Sequence, residues 1–247
     1  MNPTLCLNHA VPSLCSNCGG ARLSFFGEKD FGLSGGDFFA GRRLYQDHGQ
    51  AISYHLCKAC GFVFSAAFDG WGPEDFIQHI YNDDYVIGDP PFLEERPQRN
   101  AAMVAALFWR EKDTLKVLDF GGGRGLFAAE LTRSGFRADS LDWYYECGAQ
   151  TDTDYDLITS FEVIEHVPHG DQYAWLVQLK SYLKASPEST VLIGTELMDG
   201  HDFSWWYVSP RNGHISIHSR RSLSTLCERV GLTVQSISQS VHVLRMS

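Results

Sequence analysis

The segment Val117-Leu-Asp-Phe-Gly-Gly-Gly-Arg-Gly125 constrains the possible folds of this chain more than any other. A short apolar run ends in an acid, and four of the next few residues are glycine. This pattern reads as a buried strand, Leu115–Phe120, ending in a turn that opens a helix, Leu126–Ser134. Alternation continues after it. Arg137–Asp142, Tyr155–Phe161 and Thr190–Gly194 read as strands, Asp171–Lys184 as an amphipathic helix, and Ser222–Val230 as a helix closed by Gly231. Thr233–Ile237 and Val241–Arg245 are positioned to close the sheet as a final pair. Strands alternating with helices predict an α/β fold with a doubly wound, mostly parallel sheet.

In such a sheet, ligands bind at the carboxyl ends of strands, where the strand order reverses. Glycines there let the backbone approach a ligand and take up positive φ. A dinucleotide turn reads G-x-G-x-x-G and aims a helix N-terminus at a pyrophosphate. Here the spacing from Gly121 is G-x-G-x-G, through Gly123 and Gly125, and Asp119 stands ahead of it. An acid in that place repels phosphate but suits the amino group of a methionine moiety. Asp142 ends the next strand, 23 residues after Asp119, where a carboxylate can accept the hydroxyls of a ribose. These features favour a sulfonium nucleoside over NAD.

Val117–Gly125 resembles the first motif of the class I S-adenosylmethionine-dependent methyltransferases, and Leu141-Asp142 resembles their second-strand acid. Tyr155-Asp-Leu-Ile-Thr-Ser-Phe-Glu-Val-Ile-Glu-His-Val-Pro168 is similar to the fourth-strand motif of the subset that includes ubiquinone-type and sugar methyltransferases. The resemblance covers roughly residues 113–247. It implies a Rossmann-like domain that binds S-adenosylmethionine through Asp119, Gly121, Gly123, Gly125 and Asp142, with Phe161 and Glu162 at the cofactor's edge of the sheet. One departure stands out. Only twelve residues separate Asp142 from Tyr155, where most members insert a helix and a strand that contacts adenine. The loop Gly148–Asp154 is the candidate substitute.

Cys15-Ser-Asn-Cys18 and Cys57-Lys-Ala-Cys60 form two knuckle-like pairs separated by 38 residues. Four thiolates suit tetrahedral Zn²⁺, and each i, i+3 pair can present two sulfurs to one ion. Gly19 and Gly61 follow the pairs, where positive φ relieves the turn. A closed four-cysteine site is structural, so no chemistry is assigned to this zinc. Cys6-Leu-Asn-His9 also has ligand spacing, while Cys147 and Cys227 read as buried thiols. A four-cysteine segment ahead of this core is similar to the arrangement in bacterial sugar C-methyltransferases, although those carry a further C-terminal domain that this chain is too short to hold.

Methyl transfer needs alignment of nucleophile, methyl and sulfur, and a base where the acceptor keeps its proton. His166 is the first candidate base, because imidazole titrates near neutrality. The matching histidine of the sugar enzymes is implicated in catalysis. Glu196, after the fourth strand, and His214 are the other catalytic candidates. His214 lies in Trp205-Trp-Tyr-Val-Ser-Pro-Arg-Asn-Gly-His-Ile215, whose aromatics either stack on a flat acceptor or pack the loop. Tyr81 and Tyr85, with Arg96 and Arg99, suggest a lid. Asp89-Pro-Pro-Phe92 imitates the signature of DNA-adenine methyltransferases but precedes the glycine turn, so it reads as a helix-initiating turn.

Three segments follow: 1–70, a zinc-ribbon-like module; 71–112, a helical lid or linker; 113–247, the methyltransferase domain. The net charge of −10 leaves little basic surface for a polyanion. The expected partner is therefore a small-molecule acceptor, with a sugar or nucleotide-sugar as the candidate, rather than nucleic acid or membrane. No export signal or apolar span is visible, so a cytoplasmic location is expected. Two other readings stay open: an RNA methyltransferase with a zinc recognition module, and a non-catalytic zinc-containing binding protein.

Overall fold

The computed structural model describes residues 5–145 and 153–247. In chain order the strands are β1 (Leu23–Asp30), β2 (Ala51–Cys57), β3 (Val63–Phe64), β4 (Lys116–Phe120), β5 (Arg137–Leu141), β6 (Leu157–Phe161), β7 (Thr190–Gly194), β8 (Ser216–Ile217), β9 (Leu232–Ser236) and β10 (Val241–Met246). The helices are α1 (Gly35–Ala40), α2 (Pro73–His79), α3 (Tyr85–Gly88), α4 (Glu95–Leu107), α5 (Leu126–Arg133), α6 (Gln172–Tyr182) and α7 (Arg220–Arg229). Short 3₁₀ turns cover Pro90–Phe92, Ile164–His166 and Pro210–Asn212.

The chain forms two compact units that interleave in sequence. The first comprises 1–89, 164–173 and 196–229; the second comprises 90–163, 174–195 and 230–247. The segmentation expected from sequence is linear, and the units are not. The reason lies in β8, which pairs with β3 through Val63 with Ile217 and Phe64 with Ser216. That pairing draws the loop after β7, and α7 behind it, into the unit that carries the cysteines. Local periodicity holds no record of a partner some 150 residues away.

The second unit holds a six-stranded sheet of order β5-β4-β6-β7-β10-β9. Pairs β4–β5, β4–β6 and β6–β7 are parallel, and β10 runs antiparallel to both β7 and β9. This is the doubly wound sheet expected from the alternation, closed by the expected final pair. Strands β6 and β7 are almost wholly buried, as continuous apolar runs require at the centre of a parallel sheet. Ala101 and Val104 of α4 and Phe127 and Leu131 of α5 pack with Val117, Leu157 and Leu192 in one core. The strand order reverses between β4 and β6, so the turn after β4 lies at the switch point. Among the described residues, β5 is an edge strand. This agrees with the short interval noted before Tyr155. Cys147 and positions 148–152 of the proposed substitute loop lie outside the described residues.

The first unit holds a smaller sheet of order β1-β2-β3-β8 in which every pairing is antiparallel. Its core gathers Cys15, Cys57, Cys60, Phe62 and Phe64. Strand β1 escaped the sequence reading because a register shift between Phe25 and Gly27 breaks its alternation and Glu28-Lys-Asp30 ends it in charges. The region expected to be helical supplies α2, α3 and α4, and Pro90–Phe92 forms a 3₁₀ turn ahead of α4.

Candidate functional site

The glycine turn is built by three residues of positive φ: Gly121 at 84°, Gly123 at 57° and Gly125 at 72°. The Gly121 and Gly122 amides both donate to the Leu141 carbonyl, at 2.8 and 3.2 Å, extending the β4–β5 pairing past the strands. Gly125 N–H then turns back to the Gly122 carbonyl at 2.9 Å, and α5 starts. A methyl group on Gly121 would lie 2.6 Å from Val163, and one on Gly122 would run into the Asp119 carboxylate and the Ser140 hydroxyl. Gly122, the "x" of the spacing, is therefore as constrained as its neighbours. The sequence signal was the uninterrupted Gly-Gly-Gly run.

These contacts give a graded expectation. Gly121→Ala is expected to cost about 2–3 kcal/mol, combining the left-handed penalty with overlap at Val163. Gly123→Ala meets nothing nearer than Phe92 at 3.7 Å, so it should cost only the conformational share, about 1 kcal/mol. Urea denaturation of both variants checks the order.

Two carboxylates frame the turn. Asp119 is only 4% exposed, and Thr159 Oγ1 donates to its Oδ1 at 3.3 Å. Burial pushes its carboxyl up to about 7; the Thr159 hydrogen bond opposes the shift and the charge of Asp142 adds to it. Asp142 accepts from Gly123 N–H at 2.9 Å through Oδ2, and from Tyr144 and Tyr145 N–H at 2.7 and 3.2 Å through Oδ1. It thus latches the turn to the segment after β5. Burial raises its carboxyl, and these amides pull the other way. Phe161 packs edge-on against Phe127 with ring centroids 5.5 Å apart. Glu162 has φ of 56°, a conformation few non-glycine residues adopt, and its N–H donates to the Gly194 carbonyl at 2.8 Å. All seven sequence-chosen cofactor residues belong to the second unit.

The first unit contains the four paired cysteines and the three candidate catalytic residues. Cys15 and Cys60 sulfurs are 3.8 Å apart, those of Cys18 and Cys57 are 3.6 Å apart, and all four fall within 4.8 Å of one another. Four sulfurs at about 2.3 Å from a tetrahedral centre are separated by about 3.8 Å, so the spacing fits one zinc-sized ion. The two knuckles match. Gly19 N–H donates to the Cys15 carbonyl and Gly61 N–H to the Cys57 carbonyl, each at 2.7 Å, with φ of 70° and 78°. Crowding splits the thiols: the Cys60 hydrogen bond and burial raise Cys15, while the Cys15 hydrogen bond lowers Cys60 to about 5. Cys6 is exposed and outside the cluster, and Cys227 is a buried thiol pushed up to about 12 by burial.

His166 and His214 come together, with ring centroids 5.0 Å apart. Carbonyls only accept, so His166 Nδ1–H donates to Gly213 at 3.2 Å and His214 Nδ1–H to Tyr207 at 2.8 Å. Tyr81 meets the His166 ring edge-on at 5.9 Å. Tyr207 is fully buried and belongs to the loop's packing. Its hydroxyl donates to Glu165 and accepts from Glu196 N–H at 3.3 Å. Glu196 is half-buried, which raises its carboxyl, with His201 opposing. Trp205 stacks on His201 at 3.9 Å, and Trp206 packs on Phe39. Tyr207 and Glu165 were missed as organisers of this cluster because 42 residues separate them.

A family model described as a methyltransferase domain matches residues 92–237, more than half of the chain. A search of curated proteins found no match. Among solved structures, the mitomycin 7-O-methyltransferase MmcR is 18% identical, with a TM-score of 0.52 over 72% of this chain and 62% of its own. TnmH gives 18% identity and 0.52 over 70% and 61%. The chain thus spans less than two thirds of either. The 1,6-didemethyltoxoflavin-N1-methyltransferase of Burkholderia thailandensis, solved with its substrate and S-adenosylhomocysteine, is 16% identical with a TM-score of 0.50 over 82% and 96%. These likenesses establish the shared fold. With the family match running from before β4 to the end of β9 and the motifs in order along it, the chain belongs to the class I S-adenosylmethionine-dependent methyltransferases.

Proposed function

We propose that the chain transfers the methyl group of S-adenosylmethionine to a small polar acceptor, of which a sugar or nucleotide-sugar hydroxyl is the favoured case. The observation that carries this reading is the pair Asp119 and Asp142 framing a positive-φ glycine turn at the switch point. Asp119 receives the cofactor's amino group and Asp142 the ribose hydroxyls, with Gly121, Gly123 and Gly125 allowing close backbone approach and Phe161 and Glu162 beside them. The acceptor oxygen would pass its proton to a base among His166, His214 and Glu196 and attack the electrophilic methyl that the bound cofactor would supply. The C–S bond breaks with its electron pair on sulfur, leaving the thioether S-adenosylhomocysteine. His166, His214 and Glu196 activate the acceptor. Cys15, Cys18, Cys57 and Cys60 hold a structural zinc, and a thiolate site of this kind fits a reducing compartment such as the cytoplasm.

Labelled S-adenosylmethionine offered with nucleotide-sugars, free sugars, other small hydroxylated metabolites and bulk transfer RNA tests the assignment. Label is expected in a small-molecule fraction. His166→Ala is expected to lower turnover at least about 100-fold, the scale of a lost acid–base or electrophilic group, with cofactor affinity unchanged. Label confined to RNA would transfer the assignment to nucleic acid, against the net charge of −10.

A further inference from the structure

Glu165, His166 and His214 place one ligating atom each within 4.8 Å of one another, and this cluster is separate from the cysteines. We propose that they form a second metal site for a divalent first-row transition ion. Glu165 and His166 are consecutive in the 3₁₀ turn Ile164–His166, and His214 follows the turn Pro210–Asn212. Ile215 N–H donates to the Glu165 carbonyl at 2.9 Å, which clamps the two segments together. Gly213, at φ of 83°, brings its backbone so close that an added methyl would lie 3.1 Å from His166 Nδ1 and 3.2 Å from the Tyr81 hydroxyl.

The protonation pattern suits ligation. In the neutral tautomer whose Nδ1–H donates to its backbone carbonyl, each imidazole presents its lone pair on Nε2. Metal-ligating histidines almost always have such an outer partner, which fixes the tautomer and ring direction. Glu165 is fully buried and its Oε1 accepts the Tyr207 hydroxyl, so the carboxylate is oriented too. A buried carboxylate beside two imidazoles is a donor set that a divalent cation compensates. Two nitrogens and one oxygen suit Mn²⁺, Fe²⁺, Co²⁺ or Zn²⁺, and three protein ligands leave positions for an oxygen ligand. Such an ion supplies Lewis acidity, lowering the pKa of an acceptor hydroxyl. In its purpose the site rests on the proposed function, with the histidines acting as ligands; in its existence it does not.

Cobalt titration separates the two questions. Protein whose cysteine site is filled with zinc is titrated with Co²⁺ and followed by visible absorption and metal analysis. The site predicts about one further equivalent, with weak d–d bands and no sulfur charge-transfer band. His214→Ala and Glu165→Gln should each weaken binding at least about tenfold, and Tyr207→Phe, which removes only the outer partner, by about tenfold or more. His79→Ala, in the same unit, should change nothing. If His214→Ala fails to fold, His214→Asn replaces it. Wild-type protein that takes up no ion beyond the cysteine site, or a folded His214 variant with unchanged affinity, overturns the proposal. S-adenosylhomocysteine binding by the same preparations reports separately on the methyltransferase reading.

Discussion

Stripping the proposed zinc from the four-cysteine site is expected to unfold the β1–β2–β3–β8 unit. Structural zinc contributes on the order of 10–16 kcal/mol in small peptide sites, while a whole domain is stable by about 5–15 kcal/mol. The core of this unit is built directly on the ligands: Cys15, Cys57 and Cys60 pack with Phe62 and Phe64. Losing the ion leaves thiols at 3.6 and 3.8 Å with no charge to hold them as a group. Cys57→Ser, at a position with no solvent exposure, should act like chelation. The readout is hydrogen exchange. Amides of β1 and β2 should lose protection in the variant and regain none on zinc addition, whereas Cys227→Ala should keep its metal. Unchanged exchange after complete metal removal would show that apolar packing alone supports the unit.

The second large effect centres on Asp119, where stability and cofactor binding oppose each other. Its folded carboxyl titrates at about 7, raised from an unfolded value near 3.9. The folded state therefore binds the proton more tightly. The associated stability is fully present below about pH 4 and is lost as pH rises through about 7. Three units correspond to about 4 kcal/mol, an upper bound on what ionising Asp119 costs the fold at alkaline pH. Asp119→Asn keeps the shape and removes the charge. It should leave thermal stability unchanged at pH 4 and raise it at pH 8.5. Cofactor binding should move the other way. A cationic amino group favours the ionised carboxylate, so wild-type affinity should increase up to about tenfold per unit between pH 5.5 and 7 and then level off. The Asn variant should bind about 10–100-fold more weakly at pH 8 and show no such slope, as expected for loss of a charge-assisted hydrogen bond worth about 1.5–3 kcal/mol.

The parts of the fold legible in sequence were those set by local pattern. Leu157 to Phe161 and Val191 to Ile193 are continuous apolar or small runs, and Val117 to Phe120 is one interrupted only by Asp119; such runs are buried strands in a parallel sheet. The glycine turn and the two acids were legible for a similar reason, since the turn and Asp142 directly follow β4 and β5 and Asp119 is the penultimate residue of β4. Both knuckles were visible because i, i+3 spacing is itself the geometry of the turn. What stayed hidden depends on distant partners. Nothing local marks Ser216 and Ile217 as a strand, because a two-residue element exists only through β3. The exchange of segments between the units follows from that pairing. Tyr207 read as one of three loop aromatics that either stack on an acceptor or pack the loop; its hydroxyl joins Glu165 to the Glu196 backbone and its carbonyl accepts from His214 Nδ1–H. Glu162 showed no sign of its positive φ, because backbone strain of this kind is imposed by the fold around a residue.

The most direct test of the central claim, that the turn from Asp119 to Gly125 holds S-adenosylmethionine, is calorimetric titration with S-adenosylhomocysteine at pH 8. The account predicts saturable binding at about one site per chain, weakened at least about tenfold by Asp119→Asn. Absence of binding to folded wild-type protein, or equal affinity in the Asn variant, would contradict it.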